Sequence, residues 1–196
     1  MFTGLVKDQG IITRITREGD TVITIAPKLK AFTYGIGDSI SCNGICLTVA
    51  KMTPADFTVS LSAETMRVTT AGEWKENDLI NLEPSLAMGD ALGGHLVSGH
   101  VDAVTRVLHS QPYGDSKQWA FELPPALARF IAPKGSITID GVSLTVNDVT
   151  QDRFSVMIIP HTAEATRFAT LKAGDLVNLE IDMLARYVAR QLEARA

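Results

Sequence analysis

The eleven residues Ser39–Val49, S-I-S-C-N-G-I-C-L-T-V, return at Ser136–Val146 as S-I-T-I-D-G-V-S-L-T-V, 97 residues further on. Six of the eleven positions are identical, and the offset holds without a gap well beyond the motif. Phe57 and Val59 match Phe154 and Val156, Thr65 matches Thr162, and Asp78–Glu83 (D-L-I-N-L-E) matches Asp175–Glu180 (D-L-V-N-L-E). Nearer the start the offset shortens to 95, where Thr3-Gly4-Leu5-Val6 aligns with Ser98-Gly99-His100-Val101. An internal repeat of this length dictates architecture before any other consideration. Two copies, over 1–87 and 95–182, predict tandem domains 1–94 and 95–182 with a separate tail, 183–196.

Each copy reads as all-β. Asn43-Gly44 and Asp140-Gly141 stand between β-rich runs, the signature of tight hairpin turns that need φ > 0. Strand side chains alternate faces. Cys46 and Thr48 therefore share one face while Leu47 and Val49 take the other, and the second copy repeats this with Ser143 and Thr145. Gly10–Ile15, Thr21–Ala26, Thr58–Ser62 and Leu79–Glu83 supply further strands, with Glu18-Gly19-Asp20 as a turn. Six short strands with a small core predict a closed barrel, which leaves no exposed edge. Short helices are expected at Pro27–Phe32, Pro124–Ile131 and around Glu64–Thr69. In the tail, Leu184, Tyr187, Val188 and Leu192 fall on one helical face with arginines between them, an amphipathic helix suited to its own domain or to oligomerisation.

Composition narrows the function classes. A net charge of −4 with no basic cluster argues against nucleic acid as a partner. No apolar run approaches the length of a membrane span, and no cationic segment leads into an apolar one at the start. A cytoplasmic protein with reduced thiols is the expectation. Cys42 and Cys46 lack the second ligand pair that a zinc site needs. His95 and His100, five apart, cannot share a metal from one strand face. No dinucleotide or phosphate-binding fingerprint and no nucleophile elbow is present, so no metal and no cofactor is expected. The candidate chemistry is a set of hydroxyls (Ser41, Thr48, Ser62, Thr65, Ser143, Thr145, Thr162) with glycine-rich turns, suited to a polar heterocycle. Cys46 fits either an inert buried thiol or a ligand-facing one, and Gly93-Gly94-His95 through His100 either a junction cap or a ligand contact.

Together, Met1-Phe2-Thr3-Gly4, Asn43–Val49, Gly93–Asp102, Lys134–Val146 and Ile159-Pro160-His161-Thr162 resemble the riboflavin synthase family over essentially the whole chain. The resemblance implies two Greek-key six-stranded barrels and a C-terminal helix that assembles a cytoplasmic homotrimer. It implies dismutation of two 6,7-dimethyl-8-ribityllumazine molecules to riboflavin and 5-amino-6-ribitylaminouracil, with no cofactor. Lumazine synthase is a possible associate. Two near-equivalent pockets for two copies of one substrate give the duplication a chemical purpose.

Carried onto this sequence, the resemblance assigns one pocket to Gly4, Leu5, Val6, Cys46, Leu47, Thr48 and the run Ser60, Leu61, Ser62, Ala63, Glu64, Thr65, with Ser39 beside it. It assigns the other to Gly99, His100, Val101, Lys134, Ser143, Leu144, Thr145 and the run Ile158, Ile159, Pro160, His161, Thr162, Ala163. Cys46, Ser143, Thr145 and His100 are the candidates for proton transfer and nucleophilic addition, with Phe2 as a cover. Pro84 stands after Glu83 where the resemblance leads to arginine. Two other classes remain open: a non-catalytic lumazine- or flavin-binding protein, and the flavin barrel of an oxidoreductase. The second needs a nicotinamide-binding domain for which no sequence is left over.

Overall fold

In the computed structural model, which describes residues 1–17, 19–29 and 33–193, the repeat becomes two closed antiparallel barrels. The first comprises β1 (Asp8–Arg17), β2 (Thr21–Pro27), β3 (Ser39–Cys42), β4 (Ile45–Met52), β5 (Phe57–Leu61) and β6 (Leu79–Pro84). The second comprises β7 (Ala103–Tyr113), β8 (Ser116–Glu122), β9 (Ser136–Ile139), β10 (Val142–Val149), β11 (Arg153–Ile158) and β12 (Leu176–Ile181). Around the first barrel the order is β1-β2-β5-β4-β3-β6, and the second has the same Greek-key order strand for strand. A short helix follows the fifth strand of each, α1 (Ala63–Val68) and α2 (Pro160–Ala165).

Alternation along the strands builds the cores. On β4, Ile45, Leu47 and Val49 are buried while Thr48 is exposed and Cys46 half-buried. Each barrel has its own cluster, around Ile23, Phe57 and Leu82 in one and Phe121, Phe154 and Leu179 in the other. The two turns adopt the left-handed conformation their residues favour, Asn43 at φ 48° and Asp140 at φ 45°, each followed by a glycine near 80°.

Those turns do more than reverse the chain. Gly44 and Gly141 meet at the junction between barrels, where a Cβ on either would come within 2.8 Å of the other's backbone nitrogen. Asn81 Nδ2 donates to the Asp140 carbonyl and Asn178 Nδ2 to the Asn43 carbonyl, both at 2.8 Å. This reciprocal network relates the two halves by a pseudo-two-fold axis and satisfies buried polar groups that would otherwise be costly.

The expected helices differ in detail. Pro125–Phe130 is a 3₁₀ helix with Pro124 at its N-cap. Pro27 ends β2, and the rest of the expected Pro27–Phe32 helix lies largely outside the described residues, as does Glu18 of the first turn. Helix α3 (Met183–Glu193) forms as its periodicity predicts and leaves Leu184, Tyr187, Val188 and Leu192 each about 60% exposed. It is tethered by Arg186, whose guanidinium donates to both carboxylate oxygens of Asp102, and by an ion pair between Arg129 and Glu193.

Candidate functional site

Each motif strand is capped by an arm from the other half of the chain. The Ser143 N–H donates to the Gly4 carbonyl at 2.7 Å, and the Cys46 N–H donates to the Gly99 carbonyl at 2.8 Å. Val6 packs on the second barrel's core and Val101 on the first's. The approach is close enough that a Cβ on Gly4 would lie 2.7 Å from the Ser143 nitrogen, and one on Gly99 2.9 Å from the Cys46 nitrogen. Both glycines have positive φ, 75° and 77°, so each is required twice over.

The grouping expected from sequence is therefore corrected. Gly4, Leu5 and Val6 belong with Ser143 and not with Cys46; Gly99, His100 and Val101 belong with Cys46 and not with Ser143. The cause is the paired crossing of the arms, which Phe2 and Val97 fasten with reciprocal backbone hydrogen bonds of 2.8 and 3.1 Å.

A matched carboxylate holds each arm. Glu83 accepts from Thr3 N, Thr3 Oγ1 and Gly4 N at 2.7–3.0 Å, and Glu180 accepts from Ser98 N, Ser98 Oγ and Gly99 N at 2.7–2.9 Å. Burial pushes both carboxyls up, while these donors oppose the shift by favouring the charged form.

The two sites then diverge. Beside Ser143 stands His95, with Nδ1 2.6 Å from Ser143 Oγ and Nε2 3.1 Å from Thr138 Oγ1. Thr138 and Ser143 are cross-strand partners on β9 and β10, so one imidazole spans both hydroxyls. Burial holds the His95 pKa below the usual histidine value, with Asp182 opposing. Gly94 makes the approach possible, since a Cβ there would sit 2.1 Å from the Thr3 carbonyl oxygen and 3.1 Å from Ser143 Oγ. Gly4, Leu5, Val6, Ser143, His161 and Thr162 line a cleft of about 270 Å³ at this site. At the other site Cys46 faces Gly99 and Phe2, and among the described residues no side chain is hydrogen-bonded to its sulfur.

The remaining expected residues divide by burial and by the element that carries them. Leu47, Leu61 and Ile158 are buried in the barrel cores, so only their backbone can face a ligand. Ser62 caps α1, accepting from Thr65 N at 3.1 Å, and Glu64 pairs with Arg67 on the exposed side of that helix. Ser39 is half-buried opposite Thr48, whereas Ser60, Ala63, His100, Thr145, Ile159, Pro160 and His161 are exposed, and Leu144 and Ala163 pack partly on the second core. Lys134 is exposed in the left-handed region at φ 69°, where the first copy has Gly37. Phe2 is buried at the arm crossing, close to Gly99 and Cys46, and Pro84 pairs with Ile40 at the end of β6.

His95 is the site residue that sequence reasoning undervalued. Its spacing from His100 excluded a shared metal and said nothing of which strand it faces. The signal was the neighbouring Gly93-Gly94, which marks close backbone approach immediately before an imidazole.

The comparisons agree with this geometry. The family model described as lumazine binding domain matches twice, at residues 3–85 and 98–182, each match running from arm to sixth strand. The riboflavin synthase of Brucella abortus (strain 2308) is 42% identical over 196 residues, covering 97% of each chain. That of Actinobacillus pleuropneumoniae is 40% identical, over 98% of this chain and 90% of the relative. A crystal structure of LumP complexed with riboflavin superposes with a TM-score of 0.83 over 92% of this chain and 99% of that one, at 24% identity, which speaks to the fold. With the duplicated domain matched in both halves and full-length identity of this order, the chain belongs to the riboflavin synthase family.

Proposed function

We propose that this protein dismutates two 6,7-dimethyl-8-ribityllumazine molecules, one giving a four-carbon unit to the other, to form riboflavin and 5-amino-6-ribitylaminouracil. The observation that carries the reading is the pairing of likeness and difference. Two sites share one backbone plan, so each can hold the same heterocycle, yet only the Ser143 site has an imidazole on its hydroxyl.

The reaction needs that division. One lumazine must lose a proton from its 7-methyl group, whose carbanion delocalises into the ring. The Ser143 hydroxyl can accept that proton as its own passes to His95 Nδ1, which makes the pair the candidate general base. A lowered His95 pKa keeps the imidazole neutral, and therefore able to accept, at and somewhat below neutral pH. The other lumazine must take up a nucleophile at ring carbon 7, and Cys46 offers a thiol for addition or for shaping that site. His100 and Thr145 stand exposed at the rims, where they can contact substrate.

Holding two reactants in fixed opposition supplies much of the acceleration. The exposed apolar face of α3 supports a homotrimer in which the Cys46 site of one subunit faces the Ser143 site of the next. Among the described residues no helix is long and apolar enough to cross a membrane. Cytoplasmic residence and association with a lumazine synthase complete the proposal.

Incubation with the lumazine alone should give riboflavin and the pyrimidine in equal amounts. Binding of one lumazine per chain with its fluorescence retained and no product would overturn the reading in favour of a non-catalytic binding protein.

A further inference from the structure

We infer that Thr138 is a positioning residue for the proton-transfer step, fixing the His95 imidazole against Ser143 by accepting a hydrogen bond from Nε2–H that strengthens once the ring is protonated. The inference rests on the reaction assigned above, and its ground is the geometry of one imidazole between two hydroxyls. Thr138 is 1% exposed, its Oγ1 lies 3.1 Å from His95 Nε2, and its strand partner Ser143 has Oγ 2.6 Å from Nδ1. A ring bonded at both nitrogens cannot rotate about its Cβ–Cγ axis without breaking both contacts. A His95 held only by Ser143 would be free to swing out of line with the hydroxyl it serves.

The chemistry demands more of Thr138 than orientation. When His95 takes the proton, both ring nitrogens become donors. Nδ1–H returns to Ser143, and Nε2–H, half-buried between the arm and β9, needs an acceptor. Leaving that donor unmet would penalise the imidazolium more than the neutral ring, because the charged donor makes the stronger hydrogen bond. The charged groups around the ring do not substitute. Glu180 and Glu83 are committed to Ser98–Gly99 and Thr3–Gly4, Asp182 acts only through space, Lys7 on the cleft has no acceptor, and His161, exposed on the cleft, makes no hydrogen bond to the ring. Ser41, at the equivalent position of the first barrel, has no imidazole to hold, so the same hydroxyl-bearing position serves proton transfer in one half only.

Thr138→Val keeps the shape and removes the hydroxyl; Thr138→Ser keeps the hydroxyl. In T138V, kcat should fall roughly ten- to a hundredfold, short of the loss expected on removing the acid–base group itself, with KM little changed. The His95 pKa, read by NMR titration without lumazine, should fall further below wild type. T138S should restore both. A T138V protein with wild-type kcat and titration, or a T138S protein as impaired as T138V, overturns the inference. Should T138V not fold, the wild-type protein still decides: protonated His95 should show a slowly exchanging Nε2–H, and fast exchange refutes the hydrogen bond. Because titration and exchange need no substrate, an inactive wild type would sink the assigned reaction without touching this test.

Discussion

The Cys46 and Ser143 sites are built from the same parts in the same order and differ in what stands over them. Both have a polar pair on the outer face of the fourth strand, a glycine-bearing arm from the opposite half, and a carboxylate that grips the arm through three donors. What differs is chemistry added to a common frame: an imidazole over Ser143, a bare thiol at Cys46, and an ion pair under one turn only. The frame explains how two identical substrates can be held, and the additions explain how the two can meet different fates.

The strongest test of that division removes the imidazole. His95→Ala should lower kcat about 10²–10³-fold, within the range for loss of a general base, with lumazine affinity changed much less. Cys46→Ser should lower turnover more than affinity, yet by a smaller factor than His95→Ala. Single-turnover kinetics beside equilibrium binding makes the comparison. Equal losses in the two variants would remove the functional difference between the sites.

The shared frame can be broken symmetrically. Alanine at Gly4 or at Gly99 forces a Cβ into the facing strand and into a left-handed backbone, which together should cost about 2–4 kcal/mol. Thermal unfolding should show similar losses for both, since the added Cβ would meet nearly equal obstruction, 2.5 Å from Ser143 Cβ in one case and 2.7 Å from Cys46 Cβ in the other. A large loss at one glycine alone would mean that only one arm is structurally required.

The repeat was legible because its carriers are local. Asn-Gly and Asp-Gly turns, alternating strands and the amphipathic tail each follow from neighbouring residues, and the fold contains every one. The crossing of the arms was not legible. Nothing near Gly4 says that Ser143, and not Cys46, will donate to its carbonyl, because the choice is made by barrel docking across more than half the chain. For the same reason Asn43 and Asp140 read only as turn residues, although their carbonyls take the amides that join the barrels. The core positions of Leu47, Leu61 and Ile158 followed from alternation, which the carried-over pocket runs ignored.

The junction offers a subtler contrast. Asp140 is 1% exposed in its side chain and pairs with Arg167 at 2.6 Å, while the first copy manages with Asn43 and Thr70. Burial pushes the Asp140 carboxyl up, and Arg167 and the Asn178 N–H oppose it. Asp140→Asn keeps the acceptor for Asn178 and strands the guanidinium. Breaking a buried pair costs about 3–5 kcal/mol; with Arg167 24% exposed, about 2 kcal/mol is the expectation. Adding Arg167→Thr should recover part of that loss, because the double variant reproduces the first copy's solution. Denaturant unfolding of the four proteins gives the coupling, and additive losses would mean that the pair contributes nothing beyond its members.

The smallest effect separates the halves by pH. His95 has a lowered pKa in the folded protein, so as pH falls below about 6.5 the unfolded chain takes up a proton that the folded one refuses. Stability from this group is therefore present above the unfolded value and is lost as pH falls towards the folded one. Glu83 and Glu180, raised by burial, act in the opposite sense: their contribution is full below the ordinary glutamate value and is lost as pH rises through their folded values. The carboxylates are common to both barrels, and the imidazole hydrogen-bonded to the motif strands is not. Subtracting the stability–pH curve of His95→Gln from that of the wild type cancels the shared carboxylates and leaves the imidazole alone. That difference should decline as pH falls through and below the ordinary histidine value of about 6.5. A flat difference would show that Ser143 and Thr138 hold a ring that titrates as it does in the unfolded chain, and the second site would then lack the tuned base that distinguishes it from the first.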